Sequence, residues 1–224
     1  MNVKGINPAA CNCLKWNYRG NEYLDKGEIS PAIDAYNRAM ASNYKEQEGV
    51  LLVMRATAYL QRAFNHRLTL KKKIDQLIET TPETDKLKQL YLLLLENPVL
   101  AKSILSQRIL NDSKRQDIQF QQTKYYHGLY EYALLQATQD SLRATQLLPN
   151  YAKTWLRAGD SLAELRKLKE SAQYYEKALE LDSSLEQTLL PIIERLKTSQ
   201  EFLDKARANG WTEDTLRVAL AVAD

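Results

Sequence analysis

Five residue pairs in this chain share a single sequence separation, and that repeat constrains the fold more than any other feature. Trp16 and Trp155, Gly20 and Gly159, Tyr23 and Leu162, Tyr36 and Tyr175, and Ala39 and Ala178 all lie 139 residues apart. A fixed offset over five pairs marks two copies of one supersecondary unit. In each copy the Trp, the Gly and the next apolar residue follow at intervals of four and three, so they share one face of a helix. Gly20 and Gly159 leave room on the first helix, and Ala32, Ala39 and Ala178 do so on the second. Two antiparallel helices packed small against large follow, with Trp16, Tyr36, Trp155 and Tyr175 filling the space beside the contact. Gly27 falls in the turn, where a permissive backbone is needed.

A third copy is split in two. Residues 49–62 (GVLLVMRATAYLQR) read as its first helix, with Leu52, Ala56 and Tyr59 at the repeat spacings. Residues 132–149 read as its second, where Ala137, Ala144 and Pro149 follow at seven and five, as do Ala32, Ala39 and Tyr44, and Ser171, Ala178 and Ser183. Residues 63–131 lie between the halves as an insertion. Glycine and proline are scarce, at 7 and 6 of 224 residues, which argues against a sheet protein with many turns.

This pattern resembles the tetratricopeptide repeat family, whose unit is about 34 residues. The first copy covers about 13–46 and the last about 152–185. The resemblance implies an all-α helical array of three helix-turn-helix repeats with C-terminal helices. Residues 13–62 and 132–224 would form the repeat domain, and 63–131 a helical insertion extending the second repeat. It also implies a protein that binds other proteins. In the family the first helix of each repeat lines a concave groove. Lys153 and Arg157, one turn apart on the third repeat's first helix, and Asn21 on the first repeat's, resemble part of the carboxylate clamp of co-chaperones. That clamp grips the C-terminal Glu-Glu-Val-Asp tail of heat-shock chaperones through charge-assisted hydrogen bonds. Of its five positions three match here. Asn17 stands where a basic residue is expected, and Met54 where a second Asn is expected, with Arg55 beside it. The alternatives are a different groove ligand, or Lys153 and Arg157 as ordinary solvated residues paired with Asp160 or Glu164.

The insertion reads as helical. Phe64 to Ile78 continues the helix begun at 49, and a long helix is expected over about 114–148, antiparallel to it. Short helices are expected over 87–95 and 99–110, between breaks at Thr80–Pro82 and Asn97–Pro98. A long amphipathic helix ending at Gly210 should cover the last apolar face of the array. A final helix over 211–223, capped by Thr212, completes the chain. The apolar run Tyr91–Leu95 and the terminal helices offer a second way to dock a partner, as a structural scaffold or assembly factor with an empty groove.

Other functions find little support. The net charge of +3 is too small to imply nucleic acid or an anionic membrane. Residues 63–131 hold 11 basic against 8 acidic residues and the rest 20 against 20, so the excess lies in the insertion. Its basic run Arg67, Lys71, Lys72 and Lys73 reads as a solvated helix face. No apolar stretch approaches the roughly 20 residues that span a bilayer. The two cysteines, Cys11 and Cys13, are too close to bridge well and too few for structural zinc, so reduced thiols in a cytoplasmic protein are expected. None of the hydrolase, metalloprotease, phosphate-loop or dinucleotide motifs occurs, and no cofactor is expected. His127, among Tyr125, Tyr126 and Tyr130, reads as aromatic packing with a polar tip turned outward.

Overall fold

The computed structural model of the chain describes residues 7–79 and 118–210. The helices are α1 (Pro8–Asp25), α2 (Ile29–Met40), α3 (Glu48–Glu79), α4 (Ile118–Leu147), α5 (Ala152–Glu164), α6 (Leu168–Leu181) and α7 (Glu186–Ala208), and no strand occurs among the described residues. The short helices expected over 87–95 and 99–110, the apolar run Tyr91–Leu95 and the final helix over 211–223 lie outside the described residues.

Local chemistry sets the helix ends. Pro8 opens α1, where its missing N–H is no loss, and the Asn7 side chain accepts from the Ala9 N–H at 3.0 Å. At the other end the Glu28 N–H donates to the Tyr23 carbonyl at 2.8 Å and the Gly27 N–H to the Leu24 carbonyl at 2.9 Å. This paired closure requires a left-handed residue, and Gly27 supplies it with φ 74°. The α5–α6 turn repeats the closure, with Lys167 donating to Leu162 and Arg166 to Ala163, both at 2.9 Å. Here the left-handed residue is Arg166, with φ 59°, in the place that Gly27 holds 139 residues earlier.

The residues divide into two compact units. The first takes 7–62 and 133–197 of the described chain, and thus both outer helix pairs, the first half of α3, the second half of α4 and the first half of α7. Its core is rich in alanine, with Ala32, Ala39, Ala56, Ala137, Ala144, Ala158 and Ala178 fully buried. Larger residues such as Leu51, Leu52, Val53 and Leu162 occupy the spaces between them. Small residues are what allow helices to approach closely without leaving cavities. Gly49 serves the same end, since a side chain there would strike Leu148, 2.6 Å away. On α7, Leu189, Ile193 and Leu196 form a buried stripe at intervals of four and three, and Lys197 pairs with Glu176 of α6. Gly210, with φ 81°, follows the helix.

The second unit takes 63–79, 118–132 and 198–210 of the described residues. Its buried residues include Ala63, Leu70, Thr123, His127, Tyr130, Leu203 and Ala206. The helix expected from residue 49 is continuous from Glu48 to Glu79, 32 residues or about 48 Å. That expected over 114–148 is described from Ile118 to Leu147, 30 residues.

Candidate functional site

The two outer hairpins, α1–α2 and α5–α6, share one register. A methyl placed on Gly159 would lie 2.7 Å from the Tyr175 ring, and one on Gly20 would press harder still on the ring of Tyr36. The glycines therefore make room for an aromatic side chain from the second helix. The tryptophans depart from the expected core role, because both stay partly exposed. The Arg19 and Arg38 guanidinium carbons lie 5.0 and 4.6 Å from the centre of the Trp16 ring. Trp155 packs on Tyr174 at 5.3 Å and donates to the Pro149 carbonyl at 2.8 Å. The indoles have a polar edge and a polarisable face, so a half-exposed seat costs them less than it would cost an aliphatic residue.

Each tyrosine also reaches one position past its glycine. The Tyr36 hydroxyl donates to Asn21 Oδ1 at 2.8 Å, and the Tyr175 hydroxyl donates to Asp160 Oδ1 at 2.8 Å. Burial, with the charge of Asp25 second, pushes Tyr36 up to about 12. Burial and then the Asp160 charge raise Tyr175 further. The geometry is thus repeated while the partner changes from a neutral amide to a carboxylate. The other Asp160 oxygen receives Arg157 Nη1 at 2.7 Å.

The expected site residues differ in how free they are. Asn21 is half-buried and held by Tyr36. Arg157 is partly exposed, and Asp160 offsets its charge. Lys153 is exposed, and no carboxylate among the described residues pairs with it. Asn17 is partly buried, and its Oδ1 is enclosed with no hydrogen-bond partner among the described residues. Arg55 grips Asp140 of α4 through Nε and Nη2, both at 2.7 Å, and Asn37 of α2 through Nη1 at 2.6 Å. A ligand carboxylate at Arg55 would have to compete with that two-pronged pair.

Sequence reading missed Asp140 and the full role of Asp160. The 139-residue offset that pairs Gly20 with Gly159 also pairs Asn21 with Asp160, so the second was open to discovery. The 85 residues between Arg55 and Asp140 leave no local signal. The aromatic cluster needs a correction. His127 is buried with Thr123 and Tyr130 on one helical face, so its polar tip is not turned outward. Its Nδ1 lies 3.6 Å from Glu131. Tyr125 is the exposed member, edge-on to Tyr126 at 5.5 Å. Among the described residues no group of three or more His, Cys, Asp or Glu side chains could hold a metal ion. No described helix is long and apolar enough to cross a membrane.

Residues 152–185, the segment carrying α5 and α6, match the family model of the tetratricopeptide repeat. No curated protein and no solved structure matches the chain. The segment is a tetratricopeptide repeat, a kind of module that binds proteins and is typically not enzymatic.

Proposed function

We propose that the protein is a non-enzymatic, co-chaperone-like adaptor that takes an acidic C-terminal peptide, such as a heat-shock chaperone tail, on the first helices of its repeats. Lys153 carries this reading, because it stands exposed and unpaired among the described residues one turn from Arg157, within the segment that matches the family. An ammonium so placed can bind a carboxylate without first giving up an internal partner. Arg157 contributes less while Asp160 holds it. Asn21, fixed by Tyr36, offers an amide to the same peptide. Two free cysteines, one of them exposed, suit a cytoplasmic setting.

Fluorescence polarisation with a labelled Glu-Glu-Val-Asp peptide and its amidated form tests the reading. Micromolar binding is expected, weakened by amidation, by salt and by Lys153→Ala with Arg157→Ala. Binding indifferent to all three would sink it.

One observation favours a second reading, docking through the insertion. Phe64 and Leu68 lie one turn apart on α3, and Tyr125 and Tyr132 two turns apart on α4, all exposed. Replacing Phe64, Leu68, Tyr125 and Tyr132 together by Ser should then abolish a native complex while circular dichroism shows the repeats still folded. Retention of every partner would count against it.

A further inference from the structure

We propose that the faces carrying Leu14, Tyr18, Val50 and Met54 receive apolar side chains of the same peptide whose acidic end reaches Lys153. The ligand would then be a segment whose acidic C-terminal end is preceded by apolar residues, rather than one acidic along its whole length. This rests on the peptide-binding reading above and narrows its ligand.

The outer hairpins are built on one plan, each with a glycine against a tyrosine ring and that tyrosine bonded to the next residue of the first helix. In that common frame Leu14 and Tyr18 hold in α1 the places that Lys153 and Arg157 hold in α5, since both pairs differ by 139. Cations at these places are ordinary surface residues. Leu14 at 52% exposure and Tyr18 at 65% are not, because two large apolar groups one turn apart leave a patch from which water gains by being displaced. The middle repeat continues the pattern. Leu52, Ala56 and Tyr59 follow Trp16, Gly20 and Tyr23 by 36 residues, which puts Val50 and Met54 in the places of Leu14 and Tyr18. Both are partly exposed.

The corresponding faces of the three first helices therefore read apolar, apolar and cationic. Charge decides how acidic the ligand can be. Of these six side chains only Lys153 and Arg157 are cationic, and Asp160 already neutralises Arg157 at 2.7 Å. One net positive charge complements one carboxylate. Acids lying against Leu14 and Tyr18 would be desolvated with no further cation among these six to match them, so the acidic part of the ligand is confined to the end at Lys153.

The test uses the full chain and three labelled peptides. One has two leucines a few residues before a single C-terminal carboxylate. The second has those leucines replaced by serine, and the third is polyacidic. Tightest binding of the first is expected, with about a tenfold loss on Leu14→Ser with Tyr18→Ser, and no effect of that variant on the serine peptide. Both positions are exposed, so unchanged helicity and melting temperature should accompany the change. If Lys153→Ala weakens the first peptide but Leu14→Ser with Tyr18→Ser does not, the apolar subsite is wrong and the adaptor reading stands. Preference for the polyacidic peptide would likewise overturn the subsite and leave the adaptor reading intact. If no peptide binds, both readings fall. A concentration-dependent dimer in sedimentation, lost in the Leu14→Ser, Tyr18→Ser variant, would hand the patch to a second copy of the chain and overturn the proposal.

Discussion

The α1–α2 and α5–α6 hairpins are built alike inside and differ at the surface. Inside, a glycine faces a tyrosine ring, a buried alanine follows on the second helix, and a left-handed residue closes the turn. Outside, Leu14, Tyr18 and Asn21 in the first become Lys153, Arg157 and Asp160 in the last. The contrast separates two sets of constraints. Interior positions must fit a ring into a gap and tolerate few residue types. The exposed positions 14, 18 and 153 meet only water or a ligand and are free to set specificity.

The largest effect should come from filling the shared interior gap. Gly20→Ala and Gly159→Ala should each destabilise by roughly 1–3 kcal/mol, because the tyrosine rings must shift in a packed site. Thermal or urea unfolding measures this. A loss in one hairpin only would mean that the two interiors are not equivalent.

Asp160→Asn probes the surface contrast, because it gives the last hairpin the amide of the first. The Tyr175 hydrogen bond can remain while Arg157 is released. Affinity for an acidic peptide should rise about tenfold, near 1.4 kcal/mol, and the change should shrink with salt. Unchanged affinity would mean that Arg157 does not face the ligand.

A smaller effect is expected at the turns. Arg166→Gly should stabilise by about 1 kcal/mol, because a side chain in the left-handed region carries a steric cost that Gly27 avoids. The reciprocal Gly27→Ala should destabilise by a similar amount. Equal melting temperatures for wild type and Arg166→Gly would show that other contacts of Arg166 compensate.

The subtlest difference is alkaline. Tyr36 is raised to about 12 from an unfolded value near 10, so the folded state holds its proton longer. The stability from this group is complete below pH 10 and is lost as pH climbs from about 10 to 12. Tyr175 adds a loss in the same direction. Tyr36→Phe should flatten part of the decline in a pH series of urea titrations, and Tyr175→Phe a further part. A decline untouched by both substitutions would place its origin elsewhere.

Much of the fold is legible in the sequence, for definable reasons. Helical class, both outer hairpins and the extent of α3 follow from spacing, because helix periodicity is local. The roles of Trp16 and Trp155 are harder to see, since an aromatic residue at a repeat position can face a core or lie under an arginine. The candidate site is half visible. Lys153 and Arg157 announce themselves by a four-residue interval, but whether a carboxylate has already claimed Arg157 depends on rotamers. Arg55 shows the limit most clearly. Its neighbours in sequence give no hint of Asp140, which only the fold delivers.

That pair also orders events in time. Asn21 and Tyr36 are 15 residues apart and Asp160 and Tyr175 likewise, whereas Arg55 and Asp140 are 85 apart. Joining the distant pair carries about 1.5 kcal/mol more chain-closure entropy than joining either near one. The outer hairpins can therefore assemble quickly and on their own, while the middle repeat must wait for two remote stretches to meet. Substitutions at Arg55 or Asp140 should then mainly accelerate unfolding, whereas those at the glycines should slow folding.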